Sequence, residues 1–147
     1  MDQYLLKFDG SCAPKNPGGT AAFGYILYYN NIVLDKGQGI IGTGEGMTNN
    51  VAEHVALYKG LNSFQLSCNY EIDTLEQPIT LLIQGDSMLV INQMNNIWGA
   101  RREKPYYPWY LKNKSATKTL KDYGVKITYQ WIPREENQDC DDLSKMK

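Results

Sequence analysis

Apolar residues in this chain switch between two spacings, and the switches mark its elements. QYLLKF at 3–8 and FGYILYY at 23–29 are dense in apolar, aromatic and β-branched side chains and predict strands. IVLDKGQGII at 32–41 predicts a third strand, returning after a turn at Asn30-Asn31. The short connections make these three an antiparallel meander. SCAPKNPGGTA, with Pro14, Pro17, Gly18 and Gly19, predicts a loop between the first two strands. After the loop GTGEGMTNN, the residues Val51, Val55, Leu57 or Tyr58, Leu61 and Phe64 recur at helical spacing. Gly60 weakens this helix by roughly 1 kcal/mol against alanine, which points to close packing on the sheet.

The polar, proline-ended stretch 67–78 predicts a loop with at most irregular helix. ITLLIQ at 79–84 is almost wholly apolar, the pattern of a central strand covered on both faces. Residues 87–97 predict a helix with Ser87 as its cap, and GARREKPYYPWY an exposed loop. A polar helix follows at 111–123, stopped by Gly124. Residues 125–132 predict a fifth strand with Val125, Ile127, Tyr129 and Trp131 on one face, before a terminal loop and short helix. Three antiparallel strands followed by alternating helices and strands define an α/β fold, a five-stranded mixed sheet with helices on both faces. The 147 residues suit one domain, 1–147, with one core.

Composition narrows the class. The chain is 42% hydrophobic and 21% charged, ordinary for a globular protein. It has no apolar run of about 18 residues that would span a membrane. Its first residues, MDQYLLKFDG, lack the pattern of a signal peptide and predict a first strand. Cys12, Cys68 and Cys140 are an odd number without a CxxC pair, and His54 is the sole histidine. Free thiols in a reducing compartment, the cytoplasm, are the expectation; a zinc site and a histidine-rich active site are not. Net charge is only −1, but seven basic residues lie between Arg101 and Lys121 against Glu103 alone. That local positive face fits either a phosphate-backbone ligand or a solvated helix surface.

Four acidic residues stand at the edges of apolar segments: Asp9 after YLLKF, Glu53 in TNNVAEHVAL, Asp86 after ITLLIQG, and Asp141 in REENQDCDDLS. Carboxylates where strands end and helices begin suggest one convergent site. Four of them together would repel strongly without cations between them. Two divalent ions about 4 Å apart are the natural occupants, an arrangement that cleaves phosphodiesters.

FDGSCAPKNPGGTAAFGYIL, MTNNVAEHVALYKGL, IQGDSMLVINQM and WIPREENQDCDDLS occur in this order over almost the whole chain. Together they resemble type 1 ribonuclease H, in its histidine-free archaeal, bacterial and plant-like branch. The resemblance implies an RNase H-like fold and an endoribonuclease that hydrolyses the RNA strand of RNA–DNA hybrids, leaving 5′-phosphate and 3′-hydroxyl ends. It implies Mg²⁺, two ions per site with Mn²⁺ as substitute, held by Asp9, Glu53, Asp86 and Asp141, and a monomer with no membrane partner. Asp142 is the alternative to Asp141. A non-catalytic hybrid-binding module and another nuclease of the same fold are the alternative functions.

The resemblance also implies substrate contacts at Gly10, Ser11, Cys12, Asn16, Thr43, Asn49, Asn50 and Arg134. Asn side chains donate and accept and so suit sugar edges. Three departures stand out. Arg134 lies where many relatives carry a mobile histidine, and it either meets a phosphate or pairs with Glu135 or Glu136. Met88 replaces a glutamine that touches nucleic acid, and Cys140 replaces the commoner alanine. In the shortened protrusion, Tyr106, Tyr107, Trp109 and Tyr110 either present a flat surface to the DNA strand or pack on the core.

Overall fold

A computed structural model describes residues 3–74 and 79–146, with side chains described except at 69–74. Strand β1 (Gln3–Ala13) pairs antiparallel with β2 (Thr20–Tyr29), and β2 with β3 (Ile32–Thr43). β4 (Thr80–Gly85) lies parallel to β1, and β5 (Lys126–Trp131) parallel to β4. The sheet order is β3-β2-β1-β4-β5, mixed as the element order predicts. Asn30 and Asn31 both take positive φ, the backbone that a tight hairpin requires.

Helix α1 (Asn49–Thr74) crosses one face of the sheet, and α2 (Met88–Met94) and α3 (Tyr107–Asp122) complete that layer. The last helix, α4 (Gln138–Ser144), follows a 3₁₀ turn at Arg134–Glu136. Neighbouring residues of β1 show that α1 and α4 take opposite faces. A Cβ on Gly10 would coincide with the α1 backbone at Ala52 and Glu53. Gly24 pairs with Asp9, the adjacent position, and a Cβ there would sit 2.6 Å from Leu143 Cβ on α4. Helices therefore cover both faces. The main core lies under α1 and joins Leu6, Phe8, Leu61, Phe64, Ile83, Val90 and Leu120. Gly60 is a close-packing glycine, since its Cβ would lie 2.7 Å from Leu6 Cδ1.

Several predicted boundaries are corrected. β1 and β2 run on into the predicted 11–21 loop as far as the Ala13–Thr20 pair, because the hairpin ladder outcompetes local turn preference until Pro14 removes a donor. The predicted loop from residue 67 is helical through Thr74; residues 75–78 lie outside the described set. Cys68 explains the extension, as it is fully buried one helical step beyond Leu61 and Phe64. α3 begins at Tyr107 rather than 111, with Pro108 in the first turn, where a missing N–H costs no hydrogen bond. α2 ends at Met94, before Asn96 adopts φ 61°. Trp131 is 43% exposed and does not join Tyr129 in the core. Ser87 caps α2 as expected, its Oγ accepting from Val90 N at 3.2 Å.

The β1–α1 approach depends on Gly10, and the obstacle there is backbone, which cannot rotate aside. Gly10→Ala is expected to lower stability by about 1–3 kcal/mol, the scale of overpacking. A urea midpoint that stays at the wild-type value would contradict this account.

Candidate active site

The site lies where the β1–β4 ladder ends at the Phe8–Gly85 pair, beside the middle of β1 and the start of α1. Asp9 stands on β1, and Asp86 directly follows the last residue of β4, which pairs with Phe8. Glu53 sits in the first turns of α1, whose start is fixed by Thr48 Oγ1 accepting from Val51 N at 3.0 Å. Because Gly10 lets α1 descend on β1, Glu53 meets the other two. Carboxylate oxygens of Asp9, Glu53 and Asp86 all lie within 4.8 Å of one another. Asp9 is 4% exposed and Glu53 7%.

Such a group is electrostatically unfavourable without a cation. Burial first, and then the charges of Asp86 and Asp141, push the Asp9 carboxyl up to about 8. Burial, reinforced by Asp9 and Asp86, raises Glu53 well above the carboxylate range. Burial raises Asp86 too, opposed by a hydrogen bond from Asn137 and by the nearby Arg134 charge. Glu53 Oε2 is buried and has no hydrogen-bond partner. An orphaned buried oxygen beside two more carboxylates is the donor set of a hard divalent cation. The three residues fit a metal ion.

Asp141 lines the same cleft but stands outside this group of three. It is 5% exposed, with Lys145 Nζ at 3.0 Å and Arg134 Nη2 at 3.4 Å. Burial alone would raise its carboxyl. The contacts with Lys145, Asp9 and Arg134 together outweigh burial and hold it below the ordinary range. Asp142 instead accepts from Gln138 Nε2 at 2.9 Å and does not line the cleft.

The cleft has a volume of about 700 Å³, and its walls include Gly10, Ser11, Cys12, Asn49, Asn50 and Arg134. Two expected contacts lie outside them. Asn16 is one step back, donating from Nδ2 to Asn49 Oδ1 at 2.8 Å and accepting from Asn49 N at 3.1 Å. Thr43 is bonded across the hairpin to Thr20 at 2.9 Å. Met88 is half exposed on the cleft wall, so this departure from the family's glutamine presents an apolar side chain to the cleft. None of the four protrusion aromatics lines the cleft. Tyr106 is buried, Trp109 packs edge-on against Tyr58 of α1, and Tyr110 packs against His54. Lys112 lies 4.5 Å from the Trp109 ring. Packing on the helical layer is the reading that holds for Tyr106, Trp109 and Tyr110.

Several supporting residues escaped the sequence reading. Asn137 Nδ2 donates to Phe8 O at 2.9 Å and to Asp86 Oδ2 at 3.3 Å, so it ties β1 to the site. Trp131 Nε1 donates to Asp86 O at 3.1 Å. Ser144 Oγ donates to Asp141 O at 2.8 Å and lies 3.4 Å from Asp9 Oδ2. Lys145, four residues after Asp141, was detectable from i,i+4 charge spacing. Beside Glu53, His54 is fully buried in a polar network with Gln93 and Asn113. Asn113 Nδ2 donates to His54 Nδ1 at 3.2 Å, which makes Nε2 the protonated nitrogen donating to Gln93 Oε1 at 2.8 Å. Burial drives the His54 pKa down to about 4.

The topology and the acidic cluster define an RNase H-like fold whose site is suited to metal-dependent phosphodiester hydrolysis. Residues 7–147 match the family described as Reverse transcriptase-like, and the chain belongs to that family. It is 29% identical to the uncharacterized protein YpeP of Bacillus subtilis over 98% of its own length, but spans only 58% of that relative. It is 28% identical to a ribonuclease H of Psychromonas ingrahamii, covering 99% of this chain and 90% of that one. Among solved structures it resembles LC11-RNase H1, crystallised in complex with an RNA/DNA hybrid, with TM-score 0.71 and 26% identity over 95% of this chain and 92% of the other. The chain is thus related to type 1 ribonuclease H at moderate identity across most of its length. Among the described residues no helix is long and apolar enough to cross a membrane.

The raised carboxyl groups carry a pH signature. The folded, metal-free protein keeps protons that the unfolded chain has released above the ordinary carboxylate pKa, about 4. The cluster's contribution to stability therefore falls as pH rises from about 4 toward the Asp9 value of about 8. Glu53→Gln should melt above the metal-free wild type by a margin that widens between pH 5 and pH 8. Mg²⁺ or Mn²⁺ should raise the wild-type Tm more at pH 8 than at pH 5, because binding needs the protons to leave. Thermal melts with and without chelator test both; a pH-independent margin would refute the coupled cluster.

Proposed function

We propose that this chain is a metal-dependent endoribonuclease that hydrolyses the RNA strand of RNA–DNA hybrids, leaving 5′-phosphate and 3′-hydroxyl ends. The observation that carries the reading is the convergence of Asp9, Glu53 and Asp86 within 4.8 Å, with an unpartnered Glu53 oxygen, at the floor of an open cleft. The ribonuclease H relative and the hybrid-bound structural relative supply the substrate class. Two Mg²⁺ ions, replaceable by Mn²⁺, would be held by Asp9, Glu53, Asp86 and Asp141. When bound, they supply Lewis-acid stabilisation of phosphoryl oxygens and a nucleophilic water near neutral pH.

The chain's own groups do the remaining work. Asp9, from the middle of β1, would help hold the reacting centre beside the end of β4. The Gly10–Cys12 backbone and the Asn49 and Asn50 amides line the wall where sugar edges of the RNA strand pass, and they can read the 2′-hydroxyl. Asn16 acts through Asn49, which it hydrogen-bonds. Arg134 cannot serve as a base, since guanidinium stays protonated, and it acts as a phosphate contact. The triad lies within one chain, so a monomer suffices, and the free thiols of Cys12 and Cys140 suit a reducing cytoplasm.

The test uses end-labelled RNA–DNA hybrid, double-stranded RNA and double-stranded DNA with Mg²⁺, Mn²⁺ or chelator. Cleavage confined to the RNA of the hybrid and abolished by chelator is expected. Asp9→Asn, Glu53→Gln and Asp86→Asn should each lower the rate by more than about a hundredfold, the scale of losing one preorganised electrostatic group. Retention of hybrid without cleavage would replace this reading with a binding module, and equal cleavage of duplex DNA with a different nuclease.

A further inference from the structure

The fourth acid of the cleft is held by cations of the chain itself. Among the described residues, Asp141 is the one cleft carboxylate with ion pairs, and it has two. Lys145 is the closer partner, with Nζ 3.0 Å from Oδ2, four residues on at the C-cap of α4. Arg134 is 3.4 Å from Oδ1, and its side chain is 67% exposed. The Lys145 side chain is 39% exposed and lines the cleft, so its ammonium has solvent to move into. Among the described residues Asp9, Glu53 and Asp86 have no such ion pair, and they form the close group without Asp141.

An ammonium at Oδ2 and a divalent ion on that oxygen exclude each other, through both volume and like-charge repulsion. We propose that Lys145 is a positioning residue that acts through Asp141: it is an internal counter-cation that withholds this carboxylate from metal in the substrate-free chain. The Asp9–Glu53–Asp86 group is then the only cleft site open to a divalent ion. Asp141 becomes available once Lys145 is drawn off, and a phosphate entering the same cleft carries the charge to do so. The metal stoichiometry is thereby coupled to substrate occupancy. The inference rests on the hydrolase reading above, and its test separates the two.

The experiment counts bound Mn²⁺ by electron paramagnetic resonance on the full chain without nucleic acid. Wild type is expected to take one ion per chain. Lys145→Met should take two, its second dissociation constant lower than any residual second site of wild type by about tenfold or more, as for removal of a competing charge in contact. Lys145→Arg should behave as wild type. Adding Asp141→Asn to Lys145→Met should return the count to one, a reversal that a merely structural role for Lys145 would not produce. Circular dichroism checks each fold, and Lys145→Gln replaces the methionine variant if that one fails to fold. One ion in both wild type and the neutral variants would overturn the inference and leave the hydrolase reading standing, as would two ions in wild type. No ion in wild type at any concentration tested would overturn the hydrolase reading and this inference with it.

Discussion

Everything at the cleft depends on mutual repulsion among carboxylates that the fold forces together. The force is applied by backbone. α1 rests on β1 at Gly10 with no side chain between them, and β4 runs beside β1 in parallel register. Asp9, Glu53 and Asp86 therefore arrive from three elements whose positions are set by core packing. Leu6, Phe8, Leu61 and Ile83 hold those elements, and the hydrophobic energy of their burial maintains an arrangement that is electrostatically costly without metal.

The surroundings divide this cost unevenly. Asn137 supports Asp86 from the turn before α4, and the same amide group anchors the Phe8 carbonyl. Asp141 has cations. Glu53 has an oxygen with no partner at all. The gradient runs from Asp141, whose ion pairs outweigh its burial, to Glu53, where the Gly10 backbone offsets only part of the cost. Here the poorest-satisfied oxygen marks where a cation gains most.

Much of the fold was legible in the sequence because five strands and four helices carry distinct apolar periods. The residues that misled were those where tertiary partners overrode local preference. Ser11 to Ala13 look like a turn but find ladder partners in β2, and the polar stretch after Phe64 stays helical because Cys68 is buried. At the site, the acids were legible from their placement beside apolar runs, although only Asp86 stands directly at a strand's end, since β1 continues past Asp9 to Ala13 and Asp141 lies inside α4. Their supports were not, because Asn137, Trp131 and Ser144 act through contacts between positions far apart in sequence. Thr43 and Asn16 show the converse. Their residue types suit sugar and phosphate contacts, yet one is paired across a hairpin and the other stands behind Asn49. The basic, aromatic segment after α2 reads equally as a ligand surface or as core packing, and Trp109 and Tyr110 pack on α1 residues.

The buried trio of His54, Gln93 and Asn113 has a consequence for how this chain can change. Each residue comes from a different helix of one layer, and His54 joins the other two by hydrogen bonds in a place no solvent reaches. Replacing one member strands the donor or acceptor of the next, so intermediates with one or two exchanges are disfavoured relative to either endpoint. The trio behaves as a lock with three tumblers: exchanging one member alone costs the hydrogen bonds of the others.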